Sequence, residues 1–217
     1  MIAADTRVVL QAASVCLQYP DDHVRATLPL VRAAVAELPD GRPRERLTAF
    51  LDTAFNDTAF NDGGRAMGGL AEHYVGLFDR SRRCCLYLTW WTDGETRRRG
   101  GALAALKARY RAGGAEPVGT ELPDFLPAVL EYAATADLAD GLALLQEHRA
   151  GLELLRLALL DAGSPYAAPV EAVCALLPGP SPEDTAAARA LARSGPPREQ
   201  VGLDLPPFAP APSGGPR

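Results

Sequence analysis

The chain has 217 residues, 47% of them hydrophobic and 23% charged, with a formal net charge of -5. This length and composition suit one globular domain whose core needs neither a disulfide nor a metal. The acidic balance disfavours nucleic acid as the main partner, because phosphate binding draws on a basic field.

The N-terminal stretch lacks a basic start and a long apolar run, and Asp5 and Arg7 interrupt it. It reads as an amphipathic helix and not as a signal peptide. Val8, Val9, Ala12, Val15, Cys16 and Tyr19 lie on one helical stripe, and Pro20 stops it. Asp21 and Asp22 offer side-chain oxygens to the free N–H groups of a second helix, which carries Val24, Leu28, Val31, Val35 and Leu38. Pro29 inside it predicts a kink or a break. A third helix runs from about Arg44 with Leu47, Phe50, Leu51, Ala54 and Phe55 on one side. Residues 52–56 and 57–61 both read DTAFN, a duplication that lengthens a helix end or loop.

Leu70, Tyr74, Leu77 and Phe78 form the next apolar face. Thr92 and Glu95 have capping-box spacing, which predicts a helix starting near Asp93 and ending at Gly113 and Gly114, with Leu103, Leu106 and Tyr110 buried. Asp124 is a predicted N-cap, with Pro127 tolerated in the first turn. From Asp140 to Leu160 the leucines are so dense that one central helix is expected. A helix over about 165–177 follows, and Ser181 to Asp184 signal the start of a last short one. Seven of the nineteen prolines lie beyond Gly195. The expected architecture is therefore all-α: a single helical bundle over residues 1–194 and a disordered or extended Pro/Gly-rich tail over 195–217. With no run reaching the ~20 apolar residues that span a bilayer, the protein is expected to be cytoplasmic.

Chemistry-bearing motifs are scarce. Cys16, Cys84, Cys85 and Cys174 contain no CxxC pair and read as buried or half-buried free thiols. His23, His73 and His148 are scattered and lack ligand-like neighbours. Glu121 and Asp124 flank Pro123, but nothing beside them completes an acid/base site. The expectation is a protein that is not an enzyme and that holds neither metal nor cofactor.

Residues 80–111 are different. Arg82, Arg83, Arg97, Arg98, Arg99, Lys107, Arg109 and Arg111 are interleaved with Tyr87, Trp90, Trp91 and Tyr110. Composition alone leaves three readings open: a single-stranded nucleic-acid site, a groove for an amphipathic helix, or a solvated arginine face over core rings.

The segment FDRSRRCCLYLTWWTDGETRRRGGALAALKARYRAGG, followed by ELPDFLPAVLEYAA, closely resembles the nitrate reductase molybdenum cofactor assembly chaperones, the NarJ family. The early LQYPDD and the later LLQEHRAGLELLRLALLDAGSPYAAPVEAVCALLP are also similar to it. Phe125 stands where related chaperones often carry histidine, and Trp90 and Trp91 where they usually carry tyrosines.

This resemblance implies a helical fold of the wider TorD-like group of molybdoenzyme chaperones. It implies binding to the N-terminal segment of the catalytic subunit of respiratory nitrate reductase, and holding that apo-subunit ready for molybdopterin guanine dinucleotide before membrane attachment. Cofactor-biosynthesis proteins are further implied partners, and monomer and weak homodimer are both compatible with it. The alternative within the group is a chaperone for a dimethyl sulfoxide or trimethylamine N-oxide reductase. On this reading Tyr74, Phe78, Tyr87, Trp90, Trp91 and Tyr110 are groove candidates, and Arg82, Arg83, Arg97, Lys107, Glu121 and Asp124 are orienting charges.

Overall fold

A computed structural model describes residues 2–56, 66–80, 82–94, 96–116 and 121–194. The second DTAFN copy and the tail from Gly195 onward lie outside the described residues. Eleven α-helices make up the described fold: α1 (Ala3–Cys16), α2 (Asp22–Ala36), α3 (Arg42–Asn56), α4 (Ala66–Tyr74), α5 (Leu88–Asp93), α6 (Arg97–Ala112), α7 (Leu126–Thr135), α8 (Leu138–Glu147), α9 (Arg149–Asp161), α10 (Ala167–Cys174) and α11 (Thr185–Ser194). Between α4 and α5 the chain makes a π-helical turn, Val75–Asp79, and a 3-10 turn, Arg82–Cys84. Among the described residues the only sheet-like pairing is an isolated antiparallel bridge between Tyr87 and Phe125.

The all-α expectation holds. The central helix is α1, which packs on α7, α2, α10 and α3. Val9, Leu10 and Ala13 are fully buried there, and Ser14 is buried too because its hydroxyl donates to the Pro127 carbonyl at 2.8 Å. Beside α1, Tyr166 is completely buried, with Phe50, Tyr74 and Phe78 at ring-centroid distances of 5.3, 5.6 and 5.2 Å. Large rings at these offsets bury much area and fix the angles at which α3, α4 and α10 meet.

Several local expectations need correcting. Tyr19 is 48% exposed, because α1 ends at Cys16 and the stripe that would have buried the ring goes no further. Pro29 does not break α2; it lies on the exposed face, where the carbonyl left unbonded one turn earlier can meet water. No helix starts at Asp93: that residue ends α5, Gly94 follows at φ 57°, and α6 begins at Arg97. Thr92 instead donates its hydroxyl back to the Thr89 carbonyl at 3.2 Å.

The expected central helix over 140–160 is two helices, α8 and α9, joined at His148. Both halves bury leucines, so the apolar period runs straight across the joint and conceals it. The buried face of α9 also carries charge. Glu153, with no exposed surface, accepts from Arg156 Nε at 2.6 Å, from Ser181 Oγ at 2.8 Å and from Arg149 at 3.4 Å. Arg149 donates to the Gly179 carbonyl at 2.8 Å. A buried carboxylate between two guanidiniums is tolerated only when fully hydrogen-bonded, and those bonds clamp the 179–182 segment that leads into α11.

Candidate functional site

Two clefts lie one on each side of the π-helical turn. The backbone bond from Arg80 N to Val75 O, 3.1 Å, closes that turn five residues back. This wide turn sends Gly76 and Leu77 to one cleft and Phe78 and Asp79 to the other. A π-turn is rare and is often kept where a helix must re-aim side chains.

The first cleft has a volume of ≈ 520 Å³ and lies between the α1–α2 corner, the π-turn, the Tyr87–Phe125 bridge and α7. Its corner exists because Pro20 cannot continue α1 and because the Asp21 carboxylate accepts from Val24 N at 2.8 Å to start α2. Opposite, Leu88 N donates to Asp124 O at 2.9 Å and Leu126 N to Leu86 O at 2.8 Å, which binds two loops side by side. The Tyr87 and Phe125 rings then meet at 5.5 Å. Arg99 sits 5.6 Å from the Tyr87 ring centre, within cation–π range. The Tyr87 hydroxyl donates to Glu121 at 2.9 Å, and the Tyr74 hydroxyl to the Leu17 carbonyl at 3.2 Å.

Five rings line this cleft: Tyr19, Tyr74, Phe78, Tyr87 and Phe125. The charged side chains lining it are four carboxylates, Asp21, Asp79, Glu121 and Glu131, with no lysine or arginine among them. Burial pushes the Tyr74 phenol up, and Asp79 adds to the effect; burial and the bond to Glu121 do the same for Tyr87. Both phenols therefore stay neutral donors at physiological pH. The site offers apolar area with a negative rim.

The second cleft has a volume of ≈ 870 Å³ and is lined by Leu77, Arg83, Cys84, Trp91, residues of α9 and the start of α11. Trp91 is held by its indole N–H, which donates to the Cys85 carbonyl at 3.0 Å. Gly151 of α9 leaves room for it, since a Cβ there would lie 2.7 Å from Trp91 Cβ.

The twelve residues singled out from sequence do not all line one cleft. Tyr74, Phe78, Tyr87 and Glu121 line the first cleft, and Arg83 and Trp91 the second. Trp90 is half-buried and lines neither; Arg97 and Lys107 are exposed on α6. Tyr110 is buried, donating to the Pro123 carbonyl at 2.6 Å and packing on Tyr132 at 4.6 Å. The side chain of Arg82 lies outside the described residues.

Asp124 has no exposed surface. It does not cap α7, whose N-cap is Phe125. Its carboxylate instead accepts from the Thr89 hydroxyl, from Thr89 N at 3.2 Å and from Arg99 at 3.4 Å, and so serves the N-terminus of α5 across the bridge. It holds the cleft wall in place from below the surface.

Sequence reasoning missed Asp79, Phe125, Glu131 and the α1–α2 corner as lining residues. One signal was readable: Pro127, Ala128 and Glu131 fall at helical spacing on one face of α7. The corner was not readable, because its partners are more than fifty residues away. Among the described residues no three His, Cys, Asp or Glu side chains converge as a metal site, and no helix is long and apolar enough to cross a membrane.

A family model described as nitrate reductase delta subunit matches residues 44–172, a span that takes in most of both clefts. This chain belongs to the nitrate reductase delta subunit family. Within that family it is 33% identical over 167 residues to the probable nitrate reductase molybdenum cofactor assembly chaperone NarJ of Bacillus subtilis, covering 77% of this chain and 86% of that one. It is 38% identical over 175 residues to the nitrate reductase-like protein NarX of Mycobacterium tuberculosis, covering 77% of this chain and 24% of the relative. Against the nitrate reductase molybdenum cofactor assembly chaperone NarJ of Escherichia coli it is 38% identical over 94 residues, 43% of this chain and 40% of the other. In this delta-subunit-family chain the matched span stops before α11, so the second cleft is bounded on one side by a helix outside the family match.

Proposed function

We propose that this chain is a cytoplasmic chaperone for the catalytic subunit of a respiratory nitrate reductase. It receives the N-terminal segment of the apo-subunit and keeps that subunit competent for molybdenum cofactor insertion before membrane attachment. The chaperone itself turns over no substrate. The observation that carries the reading is the first cleft: an open, ring-floored groove inside a chain similar to proteins named as assembly chaperones for this enzyme.

Rings supply apolar area for the inner face of a short helix, and the carboxylates favour lysine or arginine on its flanks. Ordering such a segment costs several kcal/mol of the gross interaction, so binding is moderate and release remains possible. The orienting charges are thus Asp21, Asp79, Glu121 and Glu131, with Arg99 acting through Tyr87.

Calorimetry with a peptide copying the first fifteen or so residues of the partner catalytic subunit tests this. The expected affinity is micromolar or better, about -8 kcal/mol. It weakens as salt screens the rim, and it falls at least tenfold in an Asp79→Lys, Glu131→Lys double variant. Absence of binding heat at high peptide concentration would overturn the reading.

A further inference from the structure

Tyr19 borders two hollows. One is the first cleft. The other has a volume of ≈ 560 Å³ and is lined by Tyr19, Ala71, Glu72, Val75 and Arg80. Val75 and Arg80 are the residues whose backbone bond closes the π-turn, whereas their neighbour Asp79 lines the first cleft. The Tyr19 ring stands edge-on to Tyr74 at 5.6 Å, and Asp21 N donates to the Tyr19 carbonyl at 2.8 Å. The backbone of Tyr19 is thus held at the α1–α2 corner while the side chain stays half exposed.

Resting on the chaperone reading above, we propose that the client's N-terminal segment binds as a helix laid across Tyr19, with its first residues in the first cleft and its later residues in the hollow lined by Ala71, Val75 and Arg80.

Size calls for the second hollow. Pockets of about 300–1,000 Å³ hold one small ligand, and the first cleft, at ≈ 520 Å³, is of that class. A helix of about fifteen residues is about 22 Å long. The first cleft therefore takes only part of such a segment. The hollow beyond Tyr19 continues it, with Ala71 and Val75, four positions apart, as apolar area. A tyrosine at the crossing point supplies rigid contact area at low entropic cost.

Charge sets the direction. The first cleft is lined by Asp21, Asp79, Glu121 and Glu131 with no lysine or arginine, whereas in the hollow Glu72 is offset by Arg80. A helix carries about half a positive charge at its N-terminus and half a negative charge at its C-terminus. A segment that begins a chain adds an α-amino group, largely protonated at pH 7, at the same end. The four carboxylates draw the start of the segment, and the hollow with Arg80 receives its end. Each charge well placed at a helix end favours one direction by about two- to fivefold at low salt. The second cleft offers no such direction, because its rim holds two arginines and two aspartates.

The test is disulfide exchange on the full chain in a Cys85→Ser background, since Cys16, Cys84 and Cys174 are buried. A new thiol is placed at Ala128, in the first cleft, or at Ala71, in the hollow. The probe copies the first fifteen or so residues of the partner catalytic subunit and carries a thionitrobenzoate-activated cysteine at its first or its last position. The first-position probe is expected to react at least fivefold faster with Ala128→Cys than with Ala71→Cys, and the last-position probe to show the opposite preference. In calorimetry with the unlabelled peptide, Arg80→Glu should weaken binding at least threefold, and Tyr19→Ala at least tenfold with Tyr19→Phe close to the unsubstituted chain.

The opposite pattern of exchange would overturn the direction. Binding heat with no preferential exchange at Ala71→Cys from either probe, and an unchanged affinity in Arg80→Glu, would overturn the extension and leave the chaperone reading standing. Absence of binding heat in the unsubstituted chain would overturn both, so the two failures are distinguishable.

Discussion

Asp124 shows how much of the first cleft depends on a group that never meets solvent. Its Oδ2 gathers Thr89 and Arg99, while its Oδ1 is buried without a protein partner. Arg99 in turn sits against the Tyr87 ring, so one carboxylate fixes the start of α5 and the pose of a cleft-lining aromatic. Removing one member of a buried pair leaves the other charge uncompensated, which costs about 3–5 kcal/mol. Arg99 is only 21% exposed, so water offers it limited rescue. Asp124→Ala is therefore expected to lose stability of that order in urea denaturation. Asp124→Asn, which keeps the shape and an acceptor but also leaves Arg99 uncompensated, should lose nearly as much. A loss less than half as large would show that shape and hydrogen bonding, and not charge, hold the wall.

At the scale of elements, close approach decides what patterning cannot. Helices α7 and α8 touch at Gly141, where a Cβ would lie 2.2 Å from the Ala133 Cβ and 2.5 Å from its Cα. Alanine is favoured over glycine inside a helix by about 1 kcal/mol, but overpacking against a neighbour's backbone costs about 1–3 kcal/mol. The second effect wins here because the Ala133 backbone cannot swing aside. Gly141→Ala is expected to be destabilising by about 1–2 kcal/mol, read as a lower urea midpoint with an unchanged m-value. A higher midpoint would mean that α8 slides freely on α7. The same pair is tied by charge: Tyr132 donates to Asp140 at 2.8 Å, and Arg109 of α6 donates to the same carboxylate at 2.9 and 2.8 Å. Burial and the Asp140 bond push the Tyr132 phenol up to about 12, so it remains a donor throughout the physiological range.

For the whole molecule, pH is the most direct probe of how charge was taken inside. Burial pushes the imidazoles of His148, at the α8–α9 joint, and of His73, stacked on Tyr166, below their ordinary value. Around His148, Glu147, Asp124 and Asp93 pull upward while Arg109 adds to the lowering; burial outweighs them. The folded state thus holds these rings neutral, whereas the unfolded chain protonates them near pH 6.5. Protons then favour the unfolded state. Stability is full above about pH 6.5 and declines as pH falls below it, until the folded imidazoles also protonate. Asp140, held below the usual carboxylate range chiefly by Arg109, loses its contribution only at lower pH and does not obscure this window. The urea midpoint is expected to drop between pH 7 and pH 5, and His148→Gln to flatten that drop. An unchanged profile would show that the joint does not hold its imidazole neutral.

What the sequence by itself determined about this protein was its class, most of its helices and its family wording. Helical period, proline stops and caps are local, set by residues three or four apart, and so Val24 to Leu38, Leu47 to Ala54 and the Asp21 cap read correctly. The joint at His148, the true partner of Asp124 and the scattering of the candidate residues over two clefts, the core and the exposed face of α6 were decided only by the tertiary structure. Each depends on residues far apart in the chain: Asp124 meets Thr89 thirty-five positions away, and Tyr74 reaches Leu17 at fifty-seven. A one-dimensional pattern shows which face of a helix is apolar. It does not show what that face lies against, and in this bundle the neighbour decides whether a ring floors a cleft or fills the core.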